Sequence, residues 1–173
     1  MTAYHALICP KCRQSKFTTF NKFHQQCANC KNILFENPIP AICAVIRKEH
    51  KILLVERARP PRKGFWDMPG GFLEPYETGE QATIRECQEE LGITVEMAGY
   101  LGSYSDEYIY QDKTTSVLNL YYLCKIAQGE LSPADDVSDS RWFATDHPPE
   151  NTAFKHIIKA WPAIKKAFSG PDW

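Results

Sequence analysis

The sequence predicts an α/β domain built on a mixed sheet, with a small zinc ribbon in front of it. Three observations carry this. Four of the seven cysteines form two C-x₂-C knuckles close to the N-terminus. Short β-rich apolar runs recur from Ala41 onward. Two helical patterns accompany those runs, one rich in glutamate and one amphipathic with a C-terminal position, and they would cover the sheet from two sides. A chain of 173 residues holds one full domain plus a small appendage. The expected division is a ribbon over 1–36 and the main domain over 37–173.

Composition is that of an ordinary globular protein, and the formal net charge of −1 argues against non-specific binding to nucleic acid or anionic membrane as the main activity. Met1 to Ile8 lacks the charged start and apolar segment of a secretory signal. No apolar run reaches the roughly 20 residues that span a bilayer. A cytoplasmic setting is therefore expected, without a membrane partner.

The first element is the pair of knuckles, Cys9-Pro-Lys-Cys12 and Cys27-Ala-Asn-Cys30, separated by 14 residues. Zinc takes four thiolates in a tetrahedron, and two such turns supply them from a short chain. The stretch up to Phe35 has too few apolar residues for a core of its own, so structural Zn²⁺ would fold it. Two disulfides are the alternative reading. Lys11, Arg13, Lys16, Lys22 and Lys31 alternate with Phe17, Phe20 and Phe23, which keeps a nucleic-acid contact open.

Glu36-Asn37-Pro38-Ile39-Pro40 reads as a linker, because two prolines interrupt any pattern. Ala41 to Arg47 and Ile52 to Glu56 read as strands joined by the charged turn 48–51. Cys43 fits a small buried residue better than a reactive thiol. Arg57, Arg59, Arg62 and Lys63 follow in a Pro-rich loop. Arg57 and Arg59 are the candidates for binding substrate phosphate, to which a guanidinium fork is matched.

The stretch Gly70 to Ile93 contains the chemistry. Thr78 followed by Gln81 fits a capping box, and Gly92 stands where a left-handed residue would end the helix. At about 100° per residue, Glu86, Glu89 and Glu90 fall within one wedge of roughly 100°. Ile84, Cys87 and Leu91 fall opposite, on the face expected to meet the core. Like charges at these spacings destabilise a lone helix, whereas hard divalent cations such as Mg²⁺ or Mn²⁺ select carboxylate oxygens.

Gly71, Glu77, Arg85, Glu86, Glu89, Glu90 and Gly92 reproduce without a gap the pattern G, five residues, E, seven residues, R-E-U-x-E-E-x-G-U. A chance match at a given start is on the order of 10⁻⁸. The chain thus resembles the Nudix hydrolases. That resemblance implies an α/β/α sandwich and cleavage of diphosphate bonds in nucleoside diphosphates linked to another group. It also implies Glu86, Glu89, Glu90 and the Gly70 carbonyl as Mg²⁺ or Mn²⁺ ligands, with Glu86 or a neighbour activating water and Arg85 orienting the glutamates. Glu77 would support the loop. Tyr76 stands where many relatives have Gly.

Beyond the box, Ile93 to Tyr104 and Thr115 to Ala127 read as strands. The second is apolar on both faces and hence central. Ser105 to Thr114 reads as a loop, with Tyr108 either stacked on a nucleobase or half-buried. In the family a late loop supplies a further acid, for which Asp135, Asp136 and Asp139 are candidates. An amphipathic helix is expected from Asn151 or Thr152, bent at Pro162.

A Cys₄ ribbon before a Nudix domain is similar to the NADH pyrophosphatase branch. That branch carries a Ser-Gln-Pro-Trp-Pro-Phe-like segment, and this chain has Gly102-Ser103-Tyr104-Ser105 in that region instead. The expected function is Mg²⁺- or Mn²⁺-dependent hydrolysis of ADP-ribose or an NADH-like compound. The alternatives are a nucleoside triphosphate pyrophosphohydrolase, or a nucleotide sensor whose ribbon binds nucleic acid or protein. The expected partner is a small-molecule nucleotide, with a homodimer as a further option.

Overall fold

The computed structural model describes residues 8–21, 23–35 and 37–170. Two compact units are present, Met1–Pro38 and Ile39–Trp173. In the first, β1 (Phe17–Asn21), β2 (His24–Cys27) and β3 (Ile33–Phe35) form an antiparallel sheet in that order.

The second unit is built on β4 (Ile39–Lys48), β5 (Lys51–Arg57), β6 (Trp66–Asp67), β7 (Thr94–Tyr110), β8 (Lys113–Gln128) and β9 (Val137–Ala144), with helices α1 (Gly79–Leu91) and α2 (Lys155–Phe168). The strands run β6-β5-β4-β8-β7, and β9 pairs with β5. The β4–β8 pairing is parallel and the others are antiparallel, which makes the sheet mixed. Strand β8 lies inside it, as its two apolar faces predict.

Alternation along the strands feeds two cores. Ile42, Ala44, Ile46, Leu53, Val55, Tyr122 and Cys124 pack with Ala82, Cys87 and Leu91 of α1. Cys43, Val45, Ile52, Leu54 and Tyr121 pack with Ile157, Ala160, Trp161, Ile164 and Phe168 of α2. This is the α/β/α sandwich. Burying a side chain such as Leu91 fully contributes about 1.5–3 kcal/mol, so both helices are held mainly by their apolar faces.

Three local expectations need correction. Ile39 and Pro40 belong to β4 rather than to a linker, since they pair with Val117 and Leu118 at the start of its ladder with β8. The stretch 105–114 is not a loop. It continues β7 and β8 into a long hairpin closed at Gln111-Asp112, both with positive φ (47° and 59°), the conformation a two-residue hairpin turn requires. Helix α2 begins at Lys155, later than expected, and Phe154 precedes it without a side-chain cap.

Candidate active site

Helix α1 is fixed at both ends by the chemistry its sequence advertises. The Gln81 amide donates to Thr78 Oγ1 at 3.2 Å, and the Thr78 amide donates to Gln81 Oε1 at 2.9 Å. Gly92 closes the helix with φ 68° and donates to the Cys87 and Gln88 carbonyls. The buried face centres on Ala82, Thr83, Cys87, Glu90 and Leu91. Ile84 is 40% exposed, which corrects the expectation that it joins the core.

The three glutamates consequently occupy different environments. The Glu89 side chain is half exposed, Glu86 is largely covered, and Glu90 is only 5% exposed. An exposed wedge is therefore the wrong description of Glu90. Its Oε2 accepts the Gly70 amide at 2.9 Å. Burial pushes the Glu90 carboxyl well above the usual range, and Asp136, Glu86 and Asp67 add like charge. Burial also raises Glu86, against the opposing pull of Arg85.

Arg85 organises the outer part of the site. Its Nε donates to Glu77 Oε1 and one terminal nitrogen to Glu77 Oε2, both at 2.9 Å, a forked pair. The other terminal nitrogen donates to Glu86 Oε1 at 2.7 Å and Glu89 Oε2 at 3.0 Å, and the Phe72 carbonyl is taken at 3.2 Å. These partners raise the guanidinium's pKa further. Glu77, lowered by Arg85, also accepts the Glu74 amide at 3.0 Å. It is thus built into the loop.

Two glycines allow the strand before the helix to approach so closely. Gly70 has φ 146°, and a Cβ there would strike the Ile42 carbonyl. A Cβ on Gly71 would lie 2.5 Å from Glu86 Oε1. The Pro69 and Gly71 carbonyls accept the Ala44 and Ile42 amides. By strand alternation the Gly70 carbonyl faces the other way.

A cavity of about 130 Å³ opens beside this cluster, lined among others by Gly70, Gly71, Phe72, Tyr108, Asp136 and Phe154. Arg57 also lines it, but its terminal nitrogen is bound to Asp67 Oδ2 at 2.9 Å, and it covers the Phe154 ring. Arg59 is not among the lining residues and pairs with exposed Asp135 at 2.9 Å. Of the three late acids, Asp139 is bound to Arg141 at 2.9 Å, whereas Asp136 reaches the cavity. The Ser132 and Ala134 amides donate to the Leu91 and Glu90 carbonyls, and the Ala58 amide donates to the Asp136 carbonyl, which pins that loop beside the helix. Asp67, Asn119, Phe154 and His156 also line the cavity. Sequence reasoning did not single them out for chemistry, because each lies inside or beside an apolar run and carries no motif spacing.

In the ribbon, both knuckles fold alike. Arg13 and Lys31 each follow the second cysteine with positive φ (59° and 62°), and their amides donate to the Cys9 and Cys27 carbonyls. The Sγ atoms of Cys9, Cys12, Cys27 and Cys30 all lie within 4.8 Å of one another, with Cys9–Cys30 at 3.6 Å and Cys12–Cys27 at 3.5 Å. A zinc–sulfur bond of about 2.3 Å gives tetrahedral edges near 3.8 Å, so the four sulfurs fit Zn²⁺. All seven cysteines are free thiols. Among the described residues, the glutamates of α1 do not close to comparable spacing, since Arg85 and Gly70 hold them apart.

Comparison with known proteins agrees with this geometry. A family description reading NUDIX domain matches residues 37–162. An ADP-ribose pyrophosphatase of Methanocaldococcus jannaschii is 36% identical over 128 residues, 73% of this chain and 74% of that protein. The NAD-capped RNA hydrolase NudC of Vibrio parahaemolyticus is 34% identical over 143 residues, 82% of this chain but only 52% of that protein. Among solved structures, a NUDIX hydrolase from Nitrosomonas europaea superposes with a TM-score of 0.71 at 23% identity over 94% of this chain and 90% of its own, which speaks to fold alone. A MutT NUDIX hydrolase from Burkholderia pseudomallei gives 0.65 at 31% identity, covering 74% of this chain and 98% of its own. The chain belongs to the Nudix hydrolase family.

Proposed function

We propose that the chain is a Mg²⁺- or Mn²⁺-dependent diphosphohydrolase acting on a nucleoside diphosphate linked to another group, with ADP-ribose and NADH-like compounds as leading substrates. The observation that carries this is Glu90, a buried carboxylate bonded to the Gly70 amide beside Glu86 and Asp136, with Gly70 and Asp136 lining a cavity. Arg85 compensates Glu86 and Glu89 but makes no bond to Glu90, so negative charge collects where a hard cation fits. Glu86, Glu89, Glu90 and the Gly70 carbonyl would hold the metal. When bound, it supplies charge neutralisation for the diphosphate and a water of lowered pKa.

The chain's own residues do the rest. Arg85 fixes the rotamers of Glu86 and Glu89, and Glu77 fixes Arg85. Glu86, raised by burial, is suited to accept a proton from the attacking water near neutral pH. Asp136 stands ready as the further acid at the cavity edge. Seven free thiols support a reducing, cytoplasmic setting. No helix of the described residues is long and apolar enough to cross a membrane.

A second reading concerns longer substrates. The first 35 residues carry Lys11, Arg13, Lys16, Lys22 and Lys31 and no Asp or Glu. Together with the NudC resemblance, this supports a nucleotide-capped RNA as an additional substrate. The test is a panel of ADP-ribose, NADH, nucleoside triphosphates and an NAD-capped oligonucleotide, assayed with Mg²⁺ or Mn²⁺. Expected are kcat/KM values for ADP-ribose and NADH within about tenfold, roughly 1.4 kcal/mol in transition-state binding. Hydrolysis of triphosphates alone would overturn the proposal.

A further inference from the structure

The cavity beside the box has an inner end that the diphosphate chemistry does not use. His156, at the start of α2, lines it and is 5% exposed. Its ring stacks on Phe154 at 5.7 Å between centroids and an 18° tilt, and its backbone amide donates to Asp106 Oδ2 at 2.9 Å. His156 Nδ1 lies 2.6 Å from the Tyr121 hydroxyl. Among the described residues no buried side-chain nitrogen or oxygen lacks a partner, so the remaining Nε2 opens onto the cavity.

The tautomer follows from the burial of Tyr121, which is fully enclosed. Its hydroxyl is hydrogen-bonded to His156 Nδ1, and a buried O–H must donate, so the hydroxyl proton goes to Nδ1. The ring's own proton then sits on Nε2 and points into the cavity. Burial keeps this imidazole neutral by lowering its pKa. Asn119, also lining the cavity and 5% exposed, donates through Nδ2 to the Tyr104 carbonyl at 3.2 Å. Its orientation is thereby set, and Oδ1 is the atom left for the cavity.

The charges nearby exclude an anion. Asp67, Asp106 and Glu107 line the same space, and Arg57, the one cation among the described residues there, is engaged by Asp67. The Tyr108 and Phe72 rings offer apolar walls, their centroids 5.6 Å apart.

We infer that the inner end of the cavity is a subsite for an uncharged planar group presenting a hydrogen-bond acceptor and a donor side by side, read by His156 Nε2–H and Asn119 Oδ1. The inference rests on the nucleotide-derivative reading above and adds the chemistry of the group flanking the diphosphate. An amide and an aminopyrimidine edge share that pattern, so either a carboxamide-bearing ring or an adenine satisfies it.

Equilibrium binding of AMP and of reduced nicotinamide mononucleotide, whose dihydropyridine ring is uncharged, separates the two, and neither has a diphosphate to cleave. The subsite is thus tested independently of turnover, which is measured in parallel with ADP-ribose. His156→Phe keeps the stack on Phe154 and removes the donor. It is expected to weaken whichever mononucleotide occupies the subsite about tenfold, whereas His156→Gln, which retains an N–H, stays within about threefold of wild type. An effect on AMP alone assigns the base, and an effect on reduced nicotinamide mononucleotide alone assigns the carboxamide. Wild-type affinity of folded His156→Phe for both, or wild-type protein that binds neither, overturns the inference. Should His156→Phe not fold, nitrogen-15 spectra of the wild-type imidazole decide. Nε2 should be protonated and its resonance should move on saturation with one mononucleotide. An unprotonated Nε2, or a resonance that neither ligand moves, overturns the inference equally.

Discussion

The ribbon and the box-bearing unit both gather like-charged or ionisable ligands, but they are supported in opposite ways. Around Cys9, Cys12, Cys27 and Cys30 there is little apolar mass, and Phe20, Phe23 and Phe35 are exposed. Around Glu86, Glu89 and Glu90 there are a hydrophobic core, a double-capped helix and an arginine that already satisfies part of the charge. In the first region a metal would substitute for a core. In the second, the core substitutes for the metal as the source of structure, and a metal has only chemistry left to add. The same event, loss of a cation, should therefore have different consequences in the two places.

The largest expected effect is at the ribbon. Protein purified without added metal should contain about one Zn per chain, and Cys9→Ser/Cys12→Ser should lose it. Amide exchange over residues 8–35 should then rise to unfolded rates while α1 and β4 stay protected, since structural zinc contributes on the order of 10 kcal/mol to such small folds. A ribbon that stays protected without zinc would erase the contrast between the two regions.

The box should respond to ligand loss in the opposite manner. Glu89→Gln and Glu90→Gln are expected to lower turnover at saturating Mg²⁺ roughly a hundredfold or more. Thermal stability should not fall in either. For Glu90→Gln in metal-free protein it should rise. The folded pKa of Glu90 is raised, so the wild-type carboxyl contributes most at low pH and loses that contribution as pH climbs above its ordinary value of 4.5. The amide has no such charge to bury. Near wild-type turnover in either variant would remove that residue from the ligand set.

Arg85→Lys probes how far the box is self-compensated. A lysine cannot reproduce the fork on Glu77 together with contacts to Glu86, Glu89 and the Phe72 carbonyl. A loss of about 1–3 kcal/mol in chemical denaturation is expected. Unchanged stability would mean that the glutamates need no internal counter-charge.

The smallest effect is in the pH profile of stability. His156 is held neutral by burial, its folded pKa lying below the ordinary 6.5. Its unfolded form binds a proton first, so stability should fall as pH drops below about 6.5, and His156→Gln should flatten that part of the curve. An unaltered slope would place the acid sensitivity elsewhere.

Much of this architecture was legible because certain residues announce local geometry. Thr78, Gln81 and Gly92 set the helix ends, and the two knuckles foretold the cluster of four sulfurs, since short-range spacing translates directly into backbone form. Strand β8 was readable as central from its doubly apolar pattern. What stayed hidden depended on contacts far apart in sequence. Glu90 looks like any acid of an exposed wedge until Gly70, twenty residues earlier, is seen to donate to it. Ile84 has the helical spacing of a core residue, yet the sheet meets the helix along a face rotated away from it. Asp67, Asn119 and His156 come from three separate elements and share no periodicity. That Asp136 lines the cavity while Arg59 and Arg141 pair with Asp135 and Asp139 depends on such distant contacts.

The long hairpin of β7 and β8 has a further consequence for how this protein could be diversified. Its tip turns on two residues, and Asp106 and Tyr108, one pleat apart, both reach the cavity. Because side chains alternate sides along a strand, removing one residue from β7 alone would turn the Asp106 and Tyr108 side chains to the other face of the hairpin. Only matched deletions or insertions of two residues in each strand preserve the lining. The depth of the wall can therefore change only in whole steps, of roughly 7 Å along the strand, and substrate range in grafted or shuffled hairpins should jump between discrete classes rather than drift.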